Sequence, residues 1–394
     1  MPPEGASAEQ NRVLELVLRH GSGTTSFQSA QAGFRYFFHG SEACIAYVDT
    51  GGAWVTAGTP IATPEAQAET VAAFLGAARA AGKRVCFFGV ERPLVTPDGR
   101  ALRVLGIGEE PVWDPRAWHA VLREHRSLRE QLRRARAKGV NVRELSPSDL
   151  ERAQLREQLA TVTQRWLATR AMAKMGFLVR VESSDFAAQR RTFVAEQEGR
   201  VVGFAHVVPI PARSGWFLQD LIRDPGAPNG TGELLVNAVM RWANENDCAW
   251  LTLGLAPLSG ACSAWLERAR RYTRLLYDFS GLRAYKAKFR PNSWQPAYLC
   301  YPNDQGALRT IIDVLAAFAE GGFWSFGLRT LRRRPARALH ALSAALVPWT
   351  VLGPVWTAVA AAGYASSGSL AAAINRTMSA WTSRSKSVPR AIGS

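Results

Sequence analysis

Residue types suited to group-transfer chemistry gather in one stretch, Trp216 to Pro302. Asp220 and Arg223 close an apolar run, and Gly230-Thr231-Gly232-Glu233 open a helical pattern. Gly254 and Ser259 lie in a loop after a second apolar run, and Arg283, Tyr285, Lys286 and Lys288 crowd a short cationic segment. An acyl transfer needs a rigidly held donor, a nucleophile relieved of its proton, and donors for the tetrahedral oxyanion. A glycine-bearing loop before a helix offers free N–H groups and a favourable dipole to an anion. A carboxylate at the end of an apolar strand is costly without a partner. Asp220 is therefore expected either to pair with Arg223 as an internal salt bridge, or to hold an amino group or take a hydroxyl proton. Arg283, Lys286, Lys288 and Arg290 read either as a solvated basic face or as a grip on phosphate. Their position after Gly281 predicts a helix start or a turn. The six histidines (His20, His39, His119, His125, His206, His340) show no spacing suited to a triad or a metal, so histidine catalysis is not expected.

The elements that must position these groups follow from periodicity. A short amphipathic helix is predicted over residues 11–20. Strands follow at 34–38, 43–48 and 53–57, then a helix from Pro64 to Ala81 with proline in its first turn, and a strand at 84–90. From Arg116 to Gly139 the pattern is helical and basic, with Trp118, Leu122, Leu128 and Leu132 at roughly helical spacing and Gly139 as a C-cap. That helix is either a solvated linker or an edge that binds a polyanion. A second unit then reads as a strand at 140–145, a helix at 147–170, strands at 177–181, 191–197, 201–208 and 216–222, a helix at 232–247 and a strand at 249–255. This order, with glycine at the strand-to-helix turn, is that of a GNAT-type acyltransferase, and the first half offers a shortened version. The expected fold class is α/β, a tandem of two GNAT-like domains with a C-terminal apolar helical extension. The boundaries are an N-terminal GNAT-like domain over 11–114, a basic linker helix over 115–139, a C-terminal catalytic domain over 140–302 and a tail over 303–394.

Composition sets the partners. Lys and Arg number 48 against 32 Asp and Glu, a formal net charge of +16, which favours nucleic acid or an anionic membrane surface. An Arg-rich composition on solvated faces is the plainer account. The five scattered cysteines form no CxxC pair, so neither a zinc site nor a disulfide framework is signalled, and buried free thiols are expected. The N-terminus has no basic region followed by an apolar run, so no signal peptide is expected. In the tail, the basic run Arg329 to Arg337 precedes a span free of Asp, Glu, Lys and Arg from Ala338 to Asn375, and residues 342–362 approach the length that crosses a bilayer. Pro348, Gly353 and Pro354 weaken a straight spanning helix. The segment is expected to cross the membrane, lie on it, or pack on the protein, with the arginines on a cytoplasmic side.

The ordered set DLIR (220–223), PNGxxE (228–233), LGLAPLSG (253–260) and FxGLRxYKxKFxP (279–291) resembles the catalytic domain of phosphatidylglycerol lysyltransferases, the aminoacyl-phosphatidylglycerol synthases or multiple peptide resistance factors. The likeness is close over about 177–302 and looser over 30–145, where AWVTAGTP (53–60) resembles the family's first half. It implies a tandem GNAT-like region that takes an aminoacyl group, lysyl or similar, from aminoacyl-tRNA and esterifies it to phosphatidylglycerol. No metal or coenzyme is implied, and antimicrobial peptide resistance is the associated role. By resemblance Asp220, Arg223, Glu233 and Lys286 match the family's active-site acid, arginine, loop acid and lysine. In that reading Asp220, Arg223 and Lys286 are catalytic, while Gly230, Glu233, Gly254, Ser259, Arg283, Tyr285 and Lys288 bind substrate.

The chain departs from the pattern in places. Family members usually begin with many transmembrane helices forming a flippase. None is legible here, so the product is not expected to cross the bilayer by that route, and the tail is expected to anchor the protein at the cytoplasmic face. Thr59 stands where the family typically carries Asp, and Ala297 where Arg often follows proline. Two other readings stay open: a GNAT-like acyltransferase using acyl-CoA or acyl carrier protein, and a non-catalytic membrane or nucleic-acid binding protein on this fold. Residues 224–230 lack the glycine pattern that a coenzyme A pyrophosphate usually wants, which weighs against the former.

Overall fold

A computed structural model describes residues 7–169, 177–178, 186–260, 262 and 279–319. The basic run and the apolar segment of the tail lie outside these residues. Helix α1 (Ala8–His20) begins with a Ser7/Gln10 capping box, each side chain bonding the other's backbone N–H. Strands β1 (Arg35–His39), β2 (Ala43–Asp49) and β3 (Ala53–Ala57), helix α2 (Pro64–Ala80) and strands β4 (Arg84–Val90) and β5 (Arg103–Trp113) complete the first half. The predicted elements here are present to within a few residues. Strand β5 is additional, because its two glycines and two adjacent glutamates break the apolar alternation that marks a strand.

The basic stretch is two helices rather than one, α3 (Trp118–Glu124) and α4 (Arg126–Ala137), broken where His125 leaves helical geometry at φ −107°, ψ 89°. Arg129 spans the break and donates to the carbonyls of Leu122 (2.5 Å) and Arg123, which α3 leaves open at its C-terminus. Leu128, Leu132 and Ala135 are buried against the helix Thr231–Glu245, and Arg133 and Arg134 pair with Glu130 on the outer face. Gly139, at φ 78°, ends α4 as expected.

The second half comprises β6 (Asn141–Glu144), α5 (Pro147–Glu151), α6 (Ala153–Ala168), β7 (Arg191–Gln197), β8 (Arg200–Ile210), β9 (Gly215–Arg223), α7 (Thr231–Glu245), β10 (Trp250–Thr252), β11 (Ala256–Pro257), a helix Phe279–Ala287, β12 (Ser293–Tyr301) and a helix Ala307–Phe318. The helix expected at 147–170 breaks at Arg152, whose φ −70°, ψ 116° is extended. Of the strand expected at 177–181, residues 177–178 form a turn and the rest lie outside the described residues.

All twelve described strands join one sheet, ordered β1-β2-β3-β4-β12-β5-β10-β9-β8-β7-β6, with β11 also on β5. Strand β12, the last of the described strands, inserts antiparallel between β4 and β5 of the first half. Strand β5 in turn pairs with β10 of the second half. The halves are therefore joined by main-chain ladders, with the strands nearest the site at the centre. Helix α7 covers one face of the second half around Leu235, Val236 and Met240, and α6 covers the other around Phe204 and Ile222. The helix Ala307–Phe318 is tied to β4 by a two-pronged Arg84–Asp313 bond of 2.6 and 2.8 Å. Four of the five free cysteines are buried and Cys262 is partly so. Among the described residues no helix is long and apolar enough to cross a membrane.

Candidate active site

The helix Phe279–Ala287 carries most of the cationic segment, and Lys286 sits in its last turn rather than at a helix start. Lys286 is only 6% exposed, which corrects the reading of a wholly solvated basic face. Its ammonium donates to three main-chain carbonyls, Leu253 (2.8 Å), Gly254 (2.7 Å) and Leu255 (2.9 Å). These carbonyls follow β10, where the strand ends and the chain turns through Gly254 at φ 72°. A side chain at Gly254 would meet the Phe217 ring at 2.6 Å, so only glycine lets the loop lie this close to β9. Ser259 is buried and donates to the carbonyl of Ala256 at 2.6 Å, fixing the same loop further on. Burial pushes Lys286 down to about 7, against the pull of Glu110.

Glu109 and Glu110 on β5 were not singled out by sequence, and both are buried. Arg283 donates to Glu109 at 2.5 Å while its guanidinium lies 4.5 Å from the centre of the Trp294 ring. Gly260 passes so near this carboxylate that a Cβ would fall 1.9 Å from Glu109 Oε2. Glu110 accepts from Thr24 at 2.9 Å, and burial, with Glu91 nearby, lifts its carboxyl to about 7. Arg213 pairs with Glu91 and bonds the Ser22 carbonyl (2.7 Å) and Gln295 (3.3 Å), the residue opposite Glu110 on β12. The signal available in the sequence was two adjacent acids inside VLGIGEEPVW, since carboxylates in a central strand need partners.

A second group surrounds the start of α7. Gly230, at φ 96°, is its N-cap, and a Cβ there would meet the Gln131 carbonyl oxygen at 2.5 Å. Helix α4 thus packs directly on this turn, and the basic segment is structural on that side. Tyr285 brings its hydroxyl beside Gly232, where a Cβ would lie 2.9 Å from it. Glu233 pairs with Lys288, whose ammonium is 4.0 Å from the Tyr285 ring centre. Burial raises the Tyr285 hydroxyl, Glu233 adds to this, and Arg223 opposes it. Arg223, Glu233, Tyr285 and Lys288 therefore form one electrostatic cluster at a helix N-terminus.

Asp220 stands elsewhere. On β9, Leu221 packs with the α7 cluster and Ile222 with the α6 cluster, so alternation places Arg223 toward α7 and Asp220 toward α6. No ion pair joins Asp220 to Arg223 among the described residues. The partner of Asp220 is His206, directly opposite on β8, with Nδ1 3.1 Å from Oδ2, and Gln219 Nε2 lies 3.4 Å from the same oxygen. Sequence spacing did not reveal this pair because hairpin register, not separation along the chain, brings residues 206 and 220 together.

The sequence model of the family described as "Phosphatidylglycerol lysyltransferase, C-terminal" matches residues 14–301. A phosphatidylglycerol lysyltransferase of Bacillus subtilis is 25% identical over 325 residues, covering 79% of this chain and 37% of that protein. The lysylphosphatidylglycerol biosynthesis bifunctional protein LysX of Rhodococcus opacus is 24% identical over 329 residues, covering 79% and 29%. The chain thus spans about a third of the length of these curated relatives. Among solved structures, L-PGS from Bacillus licheniformis superposes with a TM-score of 0.67 at 21% identity, covering 80% of this chain and 99% of that one. The C-terminal domain of a lysylphosphatidylglycerol synthetase-type protein from Agrobacterium fabrum gives 0.68 at 24%, covering 80% and 99%. These two likenesses establish the fold.

Proposed function

The chain belongs to the phosphatidylglycerol lysyltransferase C-terminal family, and from that premise we propose that it moves an aminoacyl group, lysyl or similar, from aminoacyl-tRNA to the hydroxyl of phosphatidylglycerol or a related membrane lipid. The observation that carries this reading is that the family match runs through both halves of the sheet and through every residue of the α7 cluster and the Lys286 loop. The lipid hydroxyl attacks the aminoacyl ester carbonyl, and the tRNA ribose oxygen departs. Arg223, Lys288 and the open N–H groups at the start of α7 receive a phosphate, in keeping with a helix N-terminus backed by cations. Glu233 holds Lys288 in place and, with Tyr285, bounds that site.

Lys286 contributes by position: its three carbonyl bonds hold residues 253–255 in register with β10, so Gly254 and Ser259 shape a fixed loop. Arg283 is oriented by Glu109 and Trp294 at the same edge. Asp220 acts from the opposite face of β9. The basic composition suits a tRNA backbone and an anionic lipid surface, and the protein works at the cytoplasmic face of the membrane. We retain residues 11–114 and 140–302 as the two GNAT-like halves and 115–139 as their basic connection; of the tail 303–394, the helix Ala307–Phe318 packs on β4, and we assign membrane association to the part that follows it.

Purified protein mixed with phosphatidylglycerol vesicles, total tRNA, a synthetase mixture and each labelled amino acid in turn tests the proposal. Label is expected in the lipid phase, lost on ribonuclease treatment and with Arg223→Ala. No lipid label, with transfer seen on adding acyl-CoA, would replace it with a coenzyme A-dependent acyltransferase.

A further inference from the structure

Two observations about β8 and β9 are not used by the cluster at α7. His206 and Asp220 face each other across a hairpin ladder, and their side chains are 16% and 10% exposed. The ladder register shifts between His206 and Val207, leaving Gln219 without a partner opposite, and the amide of Gln219 reaches the same carboxylate oxygen. Such a bulge re-aims side chains beside it. The imidazole is flanked on its own strand by the Phe204 ring, with centroids 4.9 Å apart. The His206 ring is thus held by a carboxylate, an aromatic ring and a ladder, while keeping some access to solvent.

We propose that His206 is the general base of the acyl transfer and that Asp220 is its positioning residue; this rests on the reading given under Proposed function. The chemistry follows from which nitrogen is engaged. With Nδ1–H donating to the Asp220 carboxylate, the ring is fixed in the tautomer whose lone pair is on Nε2. Nε2 takes the proton of the lipid hydroxyl as that oxygen forms its bond to the aminoacyl carbonyl carbon. The tetrahedral intermediate collapses by breaking the bond to the ribose oxygen, and the imidazolium returns its proton to that oxygen. The carboxylate stabilises the imidazolium between the two transfers without itself being protonated. No further reactant is needed, and the base ends as it began.

Two substitutions at one position separate this role from a structural one. In His206→Asn the side-chain amide can still donate to Asp220 in place of Nδ1–H but has nothing at Nε2. In His206→Ala both are gone, and free imidazole can enter the space left. Lipid labelling is measured for the wild type and both variants, with thermal melting of each and with added imidazole for His206→Ala. The expected result is a loss of at least a hundredfold in both variants, as for removal of a general base, with His206→Asn melting close to the wild type and imidazole restoring His206→Ala at least tenfold. Either variant labelling lipid within threefold of the wild type would overturn the assignment of His206 alone. Should His206→Ala fail to fold, His206→Asn decides by itself. A wild-type protein that labels no lipid would overturn the functional reading, and the role of His206 with it.

Discussion

Replacing Glu110 by Gln offers a test of the buried charge at the sheet centre. The carboxyl is 6% exposed, accepts a bond from Thr24, and is lifted from 4.5 to about 7 chiefly by burial and then by Glu91. The opposing attractions of Lys286 and Arg213 are already inside that shift. At about 1.4 kcal/mol per pKa unit, a change of this size corresponds to about 3 kcal/mol. The sign follows from linkage. A raised folded value means the folded protein binds more protons than the unfolded chain between pH 4.5 and about 7. The stabilisation is therefore complete below 4.5 and is lost as pH rises through 7. Glutamine keeps the oxygen that accepts from Thr24 and cannot ionise. The expected outcome is that E110Q gains on the wild type by about 3 kcal/mol between about pH 5 and about pH 8. Urea unfolding of both proteins across that range measures the difference; titrations other than that of Lys286, on which Glu110 pulls, cancel between them, and repeating the pair in a Lys286→Met background removes that one too. Two stability curves that run parallel to within about 0.5 kcal/mol, near the resolution of such comparisons, would refute the argument that burial governs this carboxyl.

Three other substitutions test the same geometry. Lys286 has the opposite sign: its folded value is depressed to about 7, so stability is lost as pH falls from 10.5 through 7, and Lys286→Met should remove that slope in the same urea series. The same variant leaves three carbonyls without a donor and should reduce lipid labelling at least tenfold by freeing the loop, a loss in the range of one positioning group. Gly230→Ala forces a Cβ to 2.5 Å from the Gln131 carbonyl at φ 96° and should cost about 2 kcal/mol or more by urea unfolding. Arg84→Ala breaks the two-pronged bond to Asp313 and should cost about 2 kcal/mol, seen as faster proteolysis near residue 319 with the sheet otherwise intact.

The sequence by itself determined the α/β class, most helices and strands of both halves but not β5, β11 or β12, the family, and the identity of the cationic and acidic groups at the start of α7. These are local properties: apolar period separates strands from helices, glycine and proline mark their ends, and ordered short motifs survive in one dimension. Pairing across the sheet is not local. Asp220 and Arg223 look like partners at a separation of three, yet alternation along β9 sends them to opposite faces, and hairpin register gives Asp220 to His206 instead. Lys286 looks like a phosphate grip in a basic run, yet the fold buries it on three carbonyls from residues more than thirty positions away. Glu110 is unremarked in the sequence until β12 inserts beside β5 and the loop holding Thr24 closes over it. Which polar group meets which was decided by strand order and register, because burial removes water as an alternative partner and leaves each group dependent on whatever the tertiary ladder sets beside it.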